Sequence, residues 1–283
     1  MNPQFAVIDV GSNSVRLMLG AKQNGRTVSL SKTLWTTRLA AGLNETHRLR
    51  ADRAAESLLA IETFADKAKA LGIPVIVYAT SAVRDARNRD EFLTAIRRQT
   101  GLDVLVLSGE VEGRYAYLAA TGGKGTVFDI GGGSFQIVTD DTALSFPCGC
   151  VRAKDRCNAS DPKELERELF AWLDHETQLP AKVPAPVYGV GGTISTIGAL
   201  LAKQTVYDIA TLADITLPKL DGLIGELAAI PVERRMKLPL LKRRGDVILQ
   251  GATILRYQMV RTGTDTVHPS DRDGMEGIAD AMF

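Results

Sequence analysis

Two stretches of this 283-residue chain repeat one pattern: an apolar run closed by an aspartate, a turn rich in small residues, and a second apolar run. The second of them, TVFDIGGGSFQIV (residues 126–138), predicts a strand, a turn over Gly131, Gly132 and Gly133, and another strand from Phe135. Three consecutive glycines permit a turn that side chains would obstruct, and their N–H groups are free to face an anion. The residues after the turn alternate like a strand, whereas a dinucleotide or P-loop site would run straight into a helix. Taken alone, the turn is equally an ordinary tight hairpin. Near the N-terminus, however, FAVIDVGSNSVRLML (residues 5–19) repeats it, and aligning Asp9 with Asp129 also aligns Gly11 with Gly131 and Ser14 with Ser134. The repeat predicts two related halves, each contributing a hairpin with an aspartate to a shared cleft.

The remaining periodicity fits that duplication. A third strand is expected over Thr27–Leu34, then a loop with Arg38 and Gly42, and an amphipathic helix over 51–71 stopped by Gly72. PVIVYA (74–79) is an apolar, β-branched run expected to be a buried parallel strand, ending in a polar loop, TSAVRDARN. A helix (90–99), a strand (103–106) and a helix opened by Ser108 complete a βββαβαβα order before the glycine-rich Gly122–Gly125. The order then restarts with the second hairpin and a strand to Phe146. Next come a helix from Ser160-Asp161-Pro162, a strand over 186–190, and a helix from Gly191 to about Ala202. Helical segments after residue 217 read as insertions before a strand near Thr266 and a closing helix to Phe283. Domain limits of 1–122 and 123–283 follow.

Composition narrows the function classes. A net charge of +1 offers no global surface for nucleic acid, so any anion site must be local. No run approaches the roughly 18 apolar residues of a membrane span, and the first residues lack a signal-peptide pattern, which together point to the cytoplasm. Cys148, Cys150 and Cys157 have no histidine among them and read as free thiols. His47, His175 and His268 show no ligand spacing, and Tyr115, Tyr117 and Tyr257 read as packing.

DVGSNSVRL, TSAVRDA, SGEVEG, DIGGGSFQ, GVGGTISTIGAL, LPLLKRRGDVILQGATIL and SDRDGMEGIAD stand in the order found in the exopolyphosphatase and guanosine pentaphosphate phosphohydrolase family, which the chain resembles over nearly its whole length. The resemblance implies an α/β fold of two duplicated actin-like (ribonuclease H-like) domains with mixed sheets, flanking helices and an active-site cleft between them. It also implies a short two-domain form, a homodimer, and Mg²⁺-dependent release of terminal phosphate from inorganic polyphosphate. The alternative substrate is guanosine pentaphosphate, with (p)ppGpp as substrate or inhibitor. Kinases and nucleotide-binding assembly or sensor proteins of the wider superfamily are more distant readings.

Hydrolysis of a phosphoanhydride needs charge neutralisation and an oriented, activated water. The amides of Gly11, Ser12, Asn13 and Ser14 and those of Gly131 to Ser134 are the expected phosphate cradles, with Asp9 and Asp129 as expected Mg²⁺ ligands. Glu110 and Glu112 are spaced so that only one of them faces the cleft. The resemblance selects Glu112 as the base. It also assigns Arg84 to phosphate, by the bidentate contact that arginine favours. Gly191, Gly192 and Thr193, at a helix start, are a further candidate anion site, open to a more distal phosphate, to a guanosine or to neither. Arg16 reads equally as packing or as a substrate contact. The basic run of residues 234–244 reads as a solvated face or as a guide for a polyanion. Two residues depart from the family pattern. Gln136 stands where a glutamate is common, implying weaker metal binding or ligation by its carbonyl oxygen, and Phe135 replaces a small hydroxyl residue, implying a narrower cleft.

Overall fold

The computed structural model describes residues 1–159 and 161–283. Among these residues eleven strands form two sheets: β1 (Phe5–Val10), β2 (Ser14–Gln23), β3 (Arg26–Thr36), β4 (Val75–Ala79) and β5 (Val104–Val106) in the first, and β6 (Thr126–Ile130), β7 (Phe135–Val138), β8 (Ala143–Phe146), β9 (Val187–Val190), β10 (Ile215–Thr216) and β11 (Thr266–Pro269) in the second. The first sheet runs β3-β2-β1-β4-β5 and the second β8-β7-β6-β9-β11-β10. In both, a three-stranded antiparallel meander is extended by two parallel strands on the far side of its first strand, and in the second sheet β10 adds an antiparallel edge beyond them. The duplication read from the hairpins is therefore a duplication of topology, and the α/β class with mixed sheets flanked by helices is what the structure shows.

The central strands are buried on both faces, as their unbroken apolar sequence requires: every residue of β1 and β7 is buried. Helices Ala51–Ala70 and Arg89–Thr100 cover one face of the first sheet, and Gly191–Leu201 and Ile248–Arg261 cover one face of the second. The opposite faces are covered by exchange. Helix Gly109–Thr121 follows the first sheet in sequence, yet it packs Ala116 and Tyr117 on Val127, Val138 and Val190 of the second. The last helix, Gly274–Met282, returns to place Met275, Ile278 and Ala279 against Phe5, Val7, Met18 and Tyr78 of the first. Periodicity marks which face of a helix is apolar but not which sheet receives it, so this exchange is invisible in the sequence.

Three further differences stand out. TSAVRDARN is not an open loop, because Ser81–Asp85 forms a helical turn. A short helix, Cys150–Arg156, appears where none was expected. Ile248–Arg261 is a central element, with eleven buried residues, rather than an appendage. Residues 162–176 form the expected helix, capped by the Asp161 carboxylate accepting from Glu164 N at 2.8 Å; Ser160, named as its start, lies outside the described residues.

Candidate active site

The two hairpins meet at the C-terminal ends of β1 and β6 and close in the same way. Gly11 N donates to Ser14 O at 3.1 Å, and Gly131 N donates to Ser134 O at 2.9 Å. Each turn is braced through its carbonyls. Thr37 N and Arg38 N donate to Asn13 O and Ala40 N donates to Ser12 O; Cys150 N donates to Gly131 O and Val151 N to Gly132 O. With the carbonyls engaged, the amides of Ser12, Asn13, Gly132 and Gly133 have no backbone acceptor among the described residues. Such amides are what an anion requires.

The turns are in direct contact. Ser12 Oγ and Ser81 Oγ lie 2.8 Å apart, and a methyl group on Gly133 would collide with both hydroxyls. Only glycine admits this approach. Beneath it lies a cavity of about 90 Å³ lined by Asp9, Gly11, Ser12, Asn13, Ser14, Glu112, Asp129, Gly131, Gly132, Ser134, Gly191 and Gly192, which brings most of the expected site together. Gly133 and Thr193 stand outside it: Gly133 is pressed between the two serines, and the Thr193 hydroxyl turns to Cys150 Sγ at 3.9 Å. Arg84 does not line the cavity either. Its Nη1 donates to Leu107 O at 2.8 Å and lies 3.6 Å from Glu112 Oε2.

Of the two glutamates, only Glu112 faces the cavity. Glu110 is exposed, and its carboxyl is held low by its own backbone N–H and the Ser108 hydroxyl. Burial, then the charge of Asp129, pushes the Glu112 carboxyl up to about 8. Burial and the charge of Asp273 push Asp129 up to about 7. A carboxyl raised into the neutral range is matched to proton transfer.

Arg16 resolves into a cleft residue. Its Nε and Nη2 bind Asp9 Oδ2 at 2.7 and 2.6 Å, and its Nη1 binds Asp273 Oδ2. Burial raises the Asp9 carboxyl despite this pairing. Asp273 goes the other way; against its burial, Arg16 and Lys32 hold it well below the usual carboxylate range.

The residues fit a divalent cation held through oxygen. Asp9 Oδ1 is buried without a partner, and Arg16 engages Asp9 and Asp273, leaving Asp129 unpaired among the described residues. The described carboxylates do not themselves converge as a three-ligand centre. A cation here would share its shell with phosphate oxygens and water, as Mg²⁺ does.

The two departures from the family pattern act otherwise than expected. Phe135 is fully buried against Phe146, at a centroid distance of 5.3 Å, and does not narrow the cleft. Gln136 turns its amide nitrogen to Ser134 Oγ at 3.1 Å and to Glu112 Oε2 at 3.5 Å, so it faces the base as a donor.

Sequence reasoning missed Tyr78, Thr80, Ser81, Arg244 and Asp273, all of which line the cavity. Arg244 belonged to the basic run and Asp273 to the SDRDGMEG motif, but only the fold brings them here. Arg244 lies against Gly192, where any side chain would strike its guanidinium. It also marks the opening of a larger cavity of about 620 Å³. Lys32, Lys242 and Arg243 line this cavity together with Leu34, Ala199, Val206, Tyr207 and Leu240. Among the described residues no helix is long and apolar enough to cross a membrane.

This geometry has counterparts among known proteins. Residues 18–283 match the model of the Ppx/GppA phosphatase family. Exopolyphosphatase 2 of Mycobacterium tuberculosis is 30% identical over 98% of this chain and 97% of its own. The crystal structure of the Aquifex aeolicus Ppx/GppA family member superposes with a TM-score of 0.79 at 30% identity, covering 98% of this chain and 96% of the other. An exopolyphosphatase from Cytophaga hutchinsonii, 20% identical and with a TM-score of 0.85, shares the fold over 98% of this chain and 97% of its own. The two-sheet architecture is thus the actin-like fold of those structures, and the chain belongs to the Ppx/GppA phosphatase family.

Proposed function

We propose that this chain, a phosphoanhydride hydrolase of the Ppx/GppA family, is an exopolyphosphatase that releases orthophosphate from the end of inorganic polyphosphate. The observation that carries the reading is a half-buried glutamate, raised to about 8, in a cavity walled by two sets of free amides. The terminal phosphoryl group is held by the free amides of the two turns, Ser12 and Asn13 in the first and Gly132 and Gly133 in the second, with the Ser12 and Ser81 hydroxyls beside them. Glu112 takes a proton from the attacking water, and Gln136 and Arg84 hold its carboxylate in place. Such positioned charge and hydrogen bonding supplies most of the catalysis in phosphoryl transfer. A Mg²⁺ or similar divalent ion, held by Asp9 Oδ1 and Asp129, would neutralise phosphate charge. Arg16 and Arg244 stand where they would meet the phosphates that follow. The two sheets, each with the helix it receives from the other half of the chain, act as two lobes closing on the substrate, in a cytoplasmic homodimer. Orthophosphate release from polyphosphate by the wild type and by Glu112→Ala tests this; release that survives the substitution overturns it.

The larger cavity supports a second reading. Its lining combines apolar and aromatic side chains, Tyr207 among them, that suit a base with Lys32, Lys242 and Arg243 that suit phosphates, a combination that fits guanosine pentaphosphate. Parallel assays at matched concentration separate the two, since faster release from the nucleotide would reverse the assignment.

A further inference from the structure

Asp246 lies outside the 90 Å³ cavity, yet it is bonded to the supports of both phosphate turns. Its carboxylate is nine-tenths buried, and Oδ2 accepts from Arg38 Nε at 3.2 Å and from Lys154 Nζ at 3.4 Å. Arg38 belongs to the loop that braces the first turn. Its own N–H, with that of Thr37, binds Asn13 O at 2.9 and 3.1 Å. Its backbone sits in the left-handed region, at φ 52°, a conformation that a non-glycine residue keeps only when its surroundings enforce it. Lys154 lies on helix Cys150–Arg156, whose first two amides brace the second turn at 3.0 and 2.8 Å. Asp246 itself follows Arg244 by two residues, within a turn closed by Val247 N and Ile248 N donating to Arg244 O at 2.9 and 2.8 Å.

One carboxylate therefore joins the brace of the first turn, the brace of the second and the segment that presents Arg244. We infer that Asp246 is a positioning residue, a strap that holds both phosphate turns and Arg244 in register through Arg38 and Lys154. This rests on the proposed hydrolase reading, since its consequence is the alignment of the phosphoryl group with Glu112. A misplacement near 1 Å is enough to cost large factors in rate, and the braces carry the turns directly.

The test measures orthophosphate release for Asp246→Asn, Arg38→Gln, Lys154→Gln, Arg38→Lys and the Arg38→Gln/Asp246→Asn double variant. Thermal midpoints establish that each is folded, and small-angle scattering reports the radius of gyration without substrate. Asp246→Asn is expected to lower kcat by about tenfold, the lower end of what losing a charged hydrogen bond costs. Arg38→Lys should retain most of the activity. The double variant should lose no more than Asp246→Asn alone, because both remove one interaction. The radius of gyration should rise in the inactive variants as the halves part. Unchanged kcat in folded Asp246→Asn overturns the inference, as do multiplying losses in the double variant. If Asp246→Asn does not fold, Arg38→Gln and Lys154→Gln decide by the same measures, full activity in both being the refuting result. A wild type with no phosphate release would remove the hydrolase reading but leave the strap to be judged by scattering, where an unchanged radius refutes it.

Discussion

Replacing Glu112 by glutamine should abolish catalysis while making the protein more stable above neutral pH. In the folded chain this carboxyl is raised from 4.5 to about 8, first by burial and then by Asp129. Unfolded, it ionises near its ordinary value. Folded-state stability from this group is therefore fully present below pH 4.5 and is lost as pH rises through 8. Each pH step in that window costs about 1.4 kcal/mol, so the ceiling at pH 7 is about 3 kcal/mol. The side chain is 18% exposed, and Arg84 lies 3.6 Å away, so solvent and a cation offset part of that cost. About 1–2 kcal/mol remains, equivalent to about 3–6 °C in a chain of this size. Glutamine keeps the shape and carries no charge. The assay is thermal unfolding of wild type and Glu112→Gln from pH 4.5 to 8.5, in chelator so that no divalent ion compensates the carboxylates. The difference in midpoint should be near zero at pH 4.5 and should favour the variant increasingly towards pH 8. A difference that does not vary with pH, or a variant less stable at pH 8, would refute the assignment of a raised, destabilising carboxyl.

Asp129→Asn should raise the Mg²⁺ concentration needed for half-maximal phosphate release, and an unchanged Mg²⁺ titration would remove Asp129 from the metal site. Gly133→Ala forces a methyl group onto the Ser12 and Ser81 hydroxyls, so it should destabilise by about 1–3 kcal/mol, the usual cost of overpacking. A calorimetric midpoint equal to wild type would show that the turns do not meet in solution. Arg244→Ala should raise KM more than it lowers kcat, read from initial rates over a range of polyphosphate concentrations; a selective fall in kcat would place Arg244 at the transition state instead.

Much of this site was legible because its parts are local. An apolar run, an aspartate, and a turn of small residues declare a hairpin within a dozen positions, and the echo between Asp9 and Asp129 declares the duplication. Glu112 was separable from Glu110 by helical spacing together with the family motif. What escaped depends on long-range placement. Arg16 looked as much like packing as like a site residue because its partner Asp273 lies 257 residues away. Arg244 was hidden in a basic run of which one member, Arg235, is instead buried beneath the surface. Phe135 was expected in the cleft, but strand alternation at this position points it into the core against Phe146. Gln136 was expected either to weaken metal binding or to ligate by its carbonyl oxygen; its amide nitrogen turns to Glu112, because the strand places it beside Gly113, one residue along the helix from the base.

The central claim is that a raised glutamate between two amide-lined turns removes terminal phosphate from polyphosphate. It is tested most directly by timed orthophosphate release from a long polyphosphate in the presence of Mg²⁺, for wild type and Glu112→Ala side by side. Steady release by the wild type, reduced by roughly 10²–10⁴ in the variant with KM nearly unchanged, is the predicted result. Equal rates in the two proteins, or no release by either, would contradict the account.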